Sequence, residues 1–137
     1  MEKEAREQLA VEYNQSCNCC QSVLLACRDL TGMDESTAMS IGSCFAGGMF
    51  SGEVCGAVTG GLMALGACLP GKETRAEKPQ AMAMGSELQR RFRAELGNTL
   101  CREILRSHGK RVCDDCVACS AGIVHEIITD LRKEEQK

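Results

Sequence analysis

Apolar positions recur along this chain at helical spacing. Cys20, Val23, Leu24, Cys27 and Leu30 fall three or four residues apart, the step that lines one face of an α-helix. Leu88, Phe92 and Leu96 repeat it, with Arg90, Arg91 and Arg93 mostly off the stripe. Val117, Ala121, Val124, Ile128 and Leu131 follow a heptad-like step further on. Strand-like alternation of useful length is absent from the pattern.

Punctuation residues divide these stretches. A polar helix is predicted over residues 2–13, and Asn14-Gln15-Ser16 reads as a break and a new N-cap. A helix over 17–30 then ends at Thr31-Gly32, and Asp34 caps a short helix over 35–44. A Gly-rich loop over 46–52 precedes a central helix over 54–69. Residues 70–79, with Lys72, Glu73, Arg75, Glu77 and Lys78, read as an exposed linker, and helix resumes near Pro79. Gly97-Asn98-Thr99 stops that helix and caps one over 100–107. His108-Gly109-Lys110 is a turn, Asp114-Asp115 opens the last helix, and residues 133–137 form a solvated tail. The expected class is all-α, a compact bundle of about six helices with a Gly-rich central helix.

Composition narrows the picture. The chain has 137 residues, 44% of them hydrophobic, which suits one domain spanning residues 1–137. With no Trp, one Tyr and three Phe, aliphatic side chains, Met and Cys must fill its core. A net charge of −3 argues against a nucleic-acid binder, which needs a basic footprint. Residues 36–71 hold nine of the 14 Gly and one charge, Glu53. The uncharged run 54–71 is too short and too interrupted by glycine for a membrane span of about 20 apolar residues.

Cysteine is the abnormal component, with 11 in 137 residues. The N-terminal Met-Glu-Lys-Glu-Ala-Arg-Glu-Gln lacks the apolar region of a secretory signal, so the expected location is cytoplasmic. Stable structural disulfides are rare there, which leaves metal binding, thiol redox chemistry or small buried hydrophobes. An odd count also prevents pairing every thiol within one chain.

Position separates the candidates. Cys55 opens the central helix, where the macrodipole and free N–H groups favour thiolate, and Gly56 leaves room beside its sulfur. Cys101 sits in the first turn of its own helix. In the Cys17-Asn18-Cys19-Cys20 cluster, Cys17 and Cys20 share a helical face and Cys19 points away. Cys113, Cys116 and Cys119 form C-x-x-C-x-x-C, which resembles the first three ligands of a bacterial ferredoxin cluster without the completing Cys-Pro. Cys44 and Cys68 carry no motif and read as small buried hydrophobes, and most methionines read as core filler. His108 and His125 read as structural, and no zinc-protease, nucleophile-elbow or phosphate-loop signature is present.

Taken in order, these residues resemble the C_GCAxxG_C_C family of putative redox-active proteins over roughly residues 5–131. Cys55-Gly56-Ala57-Val58-Thr59-Gly60 is similar to its C-G-A-x-x-G element, with Gly-Gly-Met upstream and Leu-Met-Ala-Leu-Gly downstream. Asn18-Cys19, continued by Gln21 to Leu24, resembles its first cysteine segment, and Cys101 with the residues to Leu105 resembles its third. Cys119 resembles the fourth, with Cys116 as the competing assignment.

The resemblance implies a small helical domain with four key cysteines and an iron–sulfur cluster held by Cys19, Cys55, Cys101 and Cys119 (or Cys116), for electron transfer or redox sensing. Four thiolates suit such a cluster and equally a closed zinc site. The alternatives are a metal-free thiol–disulfide oxidoreductase, with Cys55 attacking and Cys19 or Cys101 resolving, and a zinc- or copper-binding protein. The expected partners are a redox protein and a second copy of the chain in a homodimer, without nucleic acid or membrane insertion.

Overall fold

The computed structural model describes residues 1–69 and 74–136. Among these it contains α1 (Lys3–Asn14), α2 (Cys19–Ala26), α3 (Arg28–Thr31), α4 (Glu35–Gly42), α5 (Gly56–Ala67), α6 (Thr74–Leu96), α7 (Cys101–His108) and α8 (Val112–Glu135). The all-α expectation holds, with eight helices rather than about six. One of the additional helices arises where residues 17–30 break at Cys27 (φ −105°, ψ 11°), which separates α2 from α3.

Caps explain where the elements start. The start of α2 lies later than the sequence suggested, because Asn18 is the N-cap. Its side chain accepts from the Gln21 N–H at 2.8 Å, and the Gln21 carboxamide accepts from the Asn18 N–H at 3.0 Å. This reciprocal capping box satisfies two helix-end donors at once. Asp34 caps α4 as expected, accepting from the Thr37 N–H at 3.0 Å. Helix α6 begins at Thr74 and runs through Pro79, so residues 74–79 are helical rather than linker. Pro79 is the sixth residue of α6, so its missing N–H removes one bond of the helix ladder. The remainder of the expected linker, residues 70–73, lies outside the described residues.

Helix α1 packs along α8, α2 packs against α1 and α5, and α5 also meets α6 and α8. The core between them holds Val23, Leu24, Val58, Leu88, Phe92, Val117, Val124 and Ile128. Cys20 and Cys27 are fully buried and serve as small apolar fillers. Cys44, expected inside, is exposed, and Cys68 is half-buried with its thiol donating to the Leu30 carbonyl at 3.6 Å. Met49 and Met82 also depart from the expected core role by facing solvent.

One buried group escaped the sequence reading. Arg6 lies on the polar helix α1 yet is 1% exposed. Its guanidinium donates to both Asp29 oxygens at 2.6 and 2.9 Å, to the Ala26 carbonyl at 2.7 Å and to His125 Nδ1 at 3.0 Å. A buried charge survives only when paired and hydrogen-bonded in this way. The network ties α1, α2, α3 and α8 together.

No strand occurs among the described residues, but Val54 and Leu100 form an isolated antiparallel bridge. Before it, Gly47, Gly48, Met49 and Phe50 have φ of 57°, 64°, 62° and 56°, a left-handed turn. That conformation costs a non-glycine residue about 1–2 kcal/mol. A Cβ on Gly48 would fall 2.5 Å from the Glu53 carbonyl oxygen and 2.9 Å from the Cys101 Cβ, so only glycine fits this contact.

Candidate redox site

The bridge is the frame of the site. The Cys55 N–H donates to the Thr99 carbonyl at 2.8 Å and the Cys101 N–H donates to the Glu53 carbonyl at 2.7 Å. Each cysteine therefore leaves the bridge directly into a helix, Cys55 into α5 and Cys101 into α7. On the opposite side, Gly56 brings the start of α5 against the start of α2. A Cβ there would meet the Phe45 carbonyl oxygen at 2.9 Å, the Cys20 nitrogen at 3.1 Å and the Cys19 Cβ at 3.2 Å. The space beside Gly56 is thus used by α2 itself, which sets Cys19 beside Cys55. The first turns of α8 supply Cys113 and Cys116 at i and i+3, on one helical face.

These five cysteines line one cavity of about 90 Å³, together with Gly47, Gly56, Ile104, Leu105 and Val112. Of the expected site residues, Cys19, Cys55, Cys101 and Cys116 are brought together here. Cys113 joins them, a residue the sequence offered only through its C-x-x-C spacing to Cys116. Cys119 is placed elsewhere. It lines a separate cavity of about 260 Å³ with Glu7, Glu95, His108 and Asp115, and burial together with Glu95 raises its thiol.

Inside the cysteine cavity two pairs of thiols shift each other's ionisation, Cys19 with Cys113 and Cys55 with Cys116. The hydrogen bond from Cys19 holds the Cys113 thiol down at about 7, against the opposing effect of burial. Cys19, as donor, is pushed up by that bond and then by burial. The second pair behaves alike: hydrogen bonding from Cys116, helped by the Ala57 and Val58 amides, lowers Cys55, while Cys116 is raised. Such amides at a helix start stabilise negative charge. The helix start does not do the same for Cys101, whose thiol is raised by burial and by the neighbouring Cys55 and Cys113.

Exposure ranks the pairs. Cys55 and Cys116 are 5% and 2% exposed, whereas Cys19, Cys101 and Cys113 are half-buried and nearer the surface. Every cysteine is a free thiol. Among the described residues no group of three or more His, Cys, Asp or Glu side chains stands in positions able to hold a metal ion. No described helix is long and apolar enough to cross a membrane. The chemistry of the five-thiol donor set fits a thiophilic group.

Comparison with curated proteins and with solved structures gives no match. The model of one family does match, over residues 17–127, a stretch that contains all five cysteines of the cavity. This chain belongs to the C_GCAxxG_C_C family, described as a putative redox-active protein.

Proposed function

We propose that the cavity is a redox centre in which Cys19, Cys55, Cys101 and Cys116 hold an iron–sulfur cluster, for electron transfer or redox sensing. One observation carries this reading: five thiols from four segments of the chain line a single cavity, with no other ionisable side chain among the described residues that line it. Thiolates are the ligands that iron–sulfur clusters use. When bound, the cluster would supply one-electron chemistry.

The chain's own part is electrostatic and protective. Cys55 already favours thiolate through Cys116 and the amides of Ala57 and Val58. Those amides offset the negative charge that several thiolates bring together. Ile104, Leu105 and Val112 complete the lining with apolar surface. Cys116 takes the place that the family resemblance offered first to Cys119, because Cys116 lines this cavity and Cys119 lines the other.

The test is the content of iron and acid-labile sulfide in chain purified without air, with its visible spectrum. Iron and sulfide in near-equal amounts, lost on substitution of Cys55, are the expected result. Zinc or copper without sulfide, or no metal after attempted reconstitution, overturns the reading.

A further inference from the structure

Outside the cavity, one further pair of sulfurs stands in contact. Spacing alone puts Cys17 with Cys20 on one helical face. The capping box at Asn18 starts α2 only at Cys19, so Cys17 lies in the turn between α1 and α2. Its thiol donates instead to the thioether of Met39 on α4, with the two sulfurs 3.8 Å apart.

Bonds to the backbone hold both ends of this pair. The Cys17 N–H donates to the Tyr13 carbonyl at 2.9 Å, at the end of α1. The Gln21 carboxamide donates to the Met39 carbonyl at 2.9 Å, and the Asn18 carboxamide donates to the Gly42 carbonyl at 3.1 Å. A Cβ on Gly42 would stand 3.2 Å from the Gln21 nitrogen, so α4 lies directly on the first turn of α2. The sulfurs are thus positioned by the capping residues of α2, without a ligand to draw them together. Both residues are half-buried, which leaves the pair open to a small ion.

A thiolate beside a thioether is a soft donor set of the kind that favours Cu(I). Zinc sites are built from Cys, His and carboxylates, without Met. At the metal–sulfur length of about 2.3 Å found for zinc, two sulfurs of a trigonal site stand about 4 Å apart. The Cys17–Met39 separation of 3.8 Å matches one edge of such a triangle.

We propose that Cys17 and Met39 form a Cu(I) site that holds the ion through two sulfurs and leaves a third position for exchange. When the copper–sulfur bond forms, the Cys17 S–H bond breaks and its proton goes to solvent. The Met39 thioether contributes a lone pair with no proton change, and copper stays Cu(I) throughout. The Ser16 hydroxyl, 3.9 Å from the Cys17 sulfur, is a hard donor and takes no part. None of the five cavity thiols is used, so the inference is independent of what the cavity holds.

The test uses the reduced full-length chain, kept without air, and Cu(I) supplied from its bicinchoninate complex until uptake stops. Iodoacetamide alkylation read by peptide mass spectrometry reports each cysteine separately, so copper in the cavity does not mask the result. Cys17 should alkylate at least tenfold more slowly with copper than without it. Met39→Leu, a swap of similar volume, should cancel that protection. Cys17→Ser should take up one copper fewer per chain than the wild type. Cys44→Ser, at an exposed thiol, should leave the Cys17 protection intact. An unprotected Cys17, protection that persists in Met39→Leu, protection lost in Cys44→Ser, or full copper uptake by Cys17→Ser overturns the proposal and leaves a thiol–thioether hydrogen bond only. If Cys17→Ser or Met39→Leu loses its helical circular-dichroism spectrum, the other variant decides.

Discussion

Cys55 and Cys101 are 46 residues apart in sequence, yet they leave one antiparallel bridge in register, Cys55 donating its N–H to the Thr99 carbonyl and Cys101 to the Glu53 carbonyl. Two short backbone hydrogen bonds thus set two helix starts side by side. The left-handed turn with Gly48 against Cys101 and the close approach at Gly56 complete the frame. The cavity is therefore held by backbone contacts, which allow its side chains to be substituted one at a time with the frame left in place.

Cys116 and Cys119, at i and i+3 on α8, give the sharpest test of the ligand set. Cys116→Ser should lose at least half of the iron bound by anaerobically prepared chain, and Cys119→Ser should retain nearly all of it. Cys116 lines the five-thiol cavity while Cys119 faces Glu95 in the neighbouring one. Equal loss from both variants would reverse the assignment.

Gly56→Ala should destabilise the fold by about 1–3 kcal/mol, the usual cost of overpacking. The added methyl would meet the Phe45 carbonyl oxygen and the Cys20 nitrogen at 2.9 and 3.1 Å, and backbone atoms cannot swing aside as a side chain can. Urea denaturation followed by circular dichroism measures the change. Gly66→Ala is the control, since its Cβ would meet nothing within 4 Å.

The Arg6 network predicts a pH dependence. Burial and the neighbouring Arg6 lower the His125 pKa below its ordinary 6.5, and its Nδ1 accepts from Arg6 at 3.0 Å only while that nitrogen is unprotonated. A base with a depressed folded pKa contributes stability that is present above the unfolded value. That contribution is lost as pH falls from about 6.5 through the folded value. Asp29, held low by its hydrogen bonds from Arg6, adds a second loss below its ordinary 3.8. The urea midpoint of the chain should fall between pH 7.5 and pH 5.5, and less so in His125→Gln. Arg6→Ala should cost about 3 kcal/mol at neutral pH, because it strips partners from Asp29 and from a buried carbonyl. A midpoint flat across that pH range would remove His125 from this account.

Cys113 should be the cavity thiol that alkylates first. In reduced, metal-free chain its rate with iodoacetamide should rise with pH to half its maximum near pH 7, the value at which Cys19 holds it. Cys19→Ala removes the donor and should shift that midpoint upward, toward the ordinary thiol value of 9.0. An unmoved midpoint would show that the helix start, and not Cys19, activates the thiol.

Much of this was legible in the sequence because it is local. Periodicity at three and four residues announced an all-helical chain, Asp34 announced α4, and the Gly-rich C-G-A-x-x-G element put Cys55 at the start of α5. Local signals also misplaced details. Asn18, not residues 14–16, caps α2, because the reciprocal bond with Gln21 outweighs the earlier polar run. Pro79 looked like a helix start and lies inside α6, because helix already forms from Thr74.

The sequence by itself determined the helical class, the cysteine surplus and the helix-start positions of Cys55 and Cys101, since these follow from residue type and spacing within a few turns. Only the tertiary structure decided which thiols meet. Cys113, Cys116 and Cys119 are equivalent by spacing, but three residues turn a helix by about 300°, so successive members drift around its surface. The packing of α8 places Cys113 and Cys116 against α2 and the Val54–Leu100 bridge and sends Cys119 toward Glu95. The same packing buries Arg6, a residue whose neighbours in sequence all suggest a solvated face. Its partners Asp29 and His125 lie 23 and 119 residues away, beyond the reach of any local pattern.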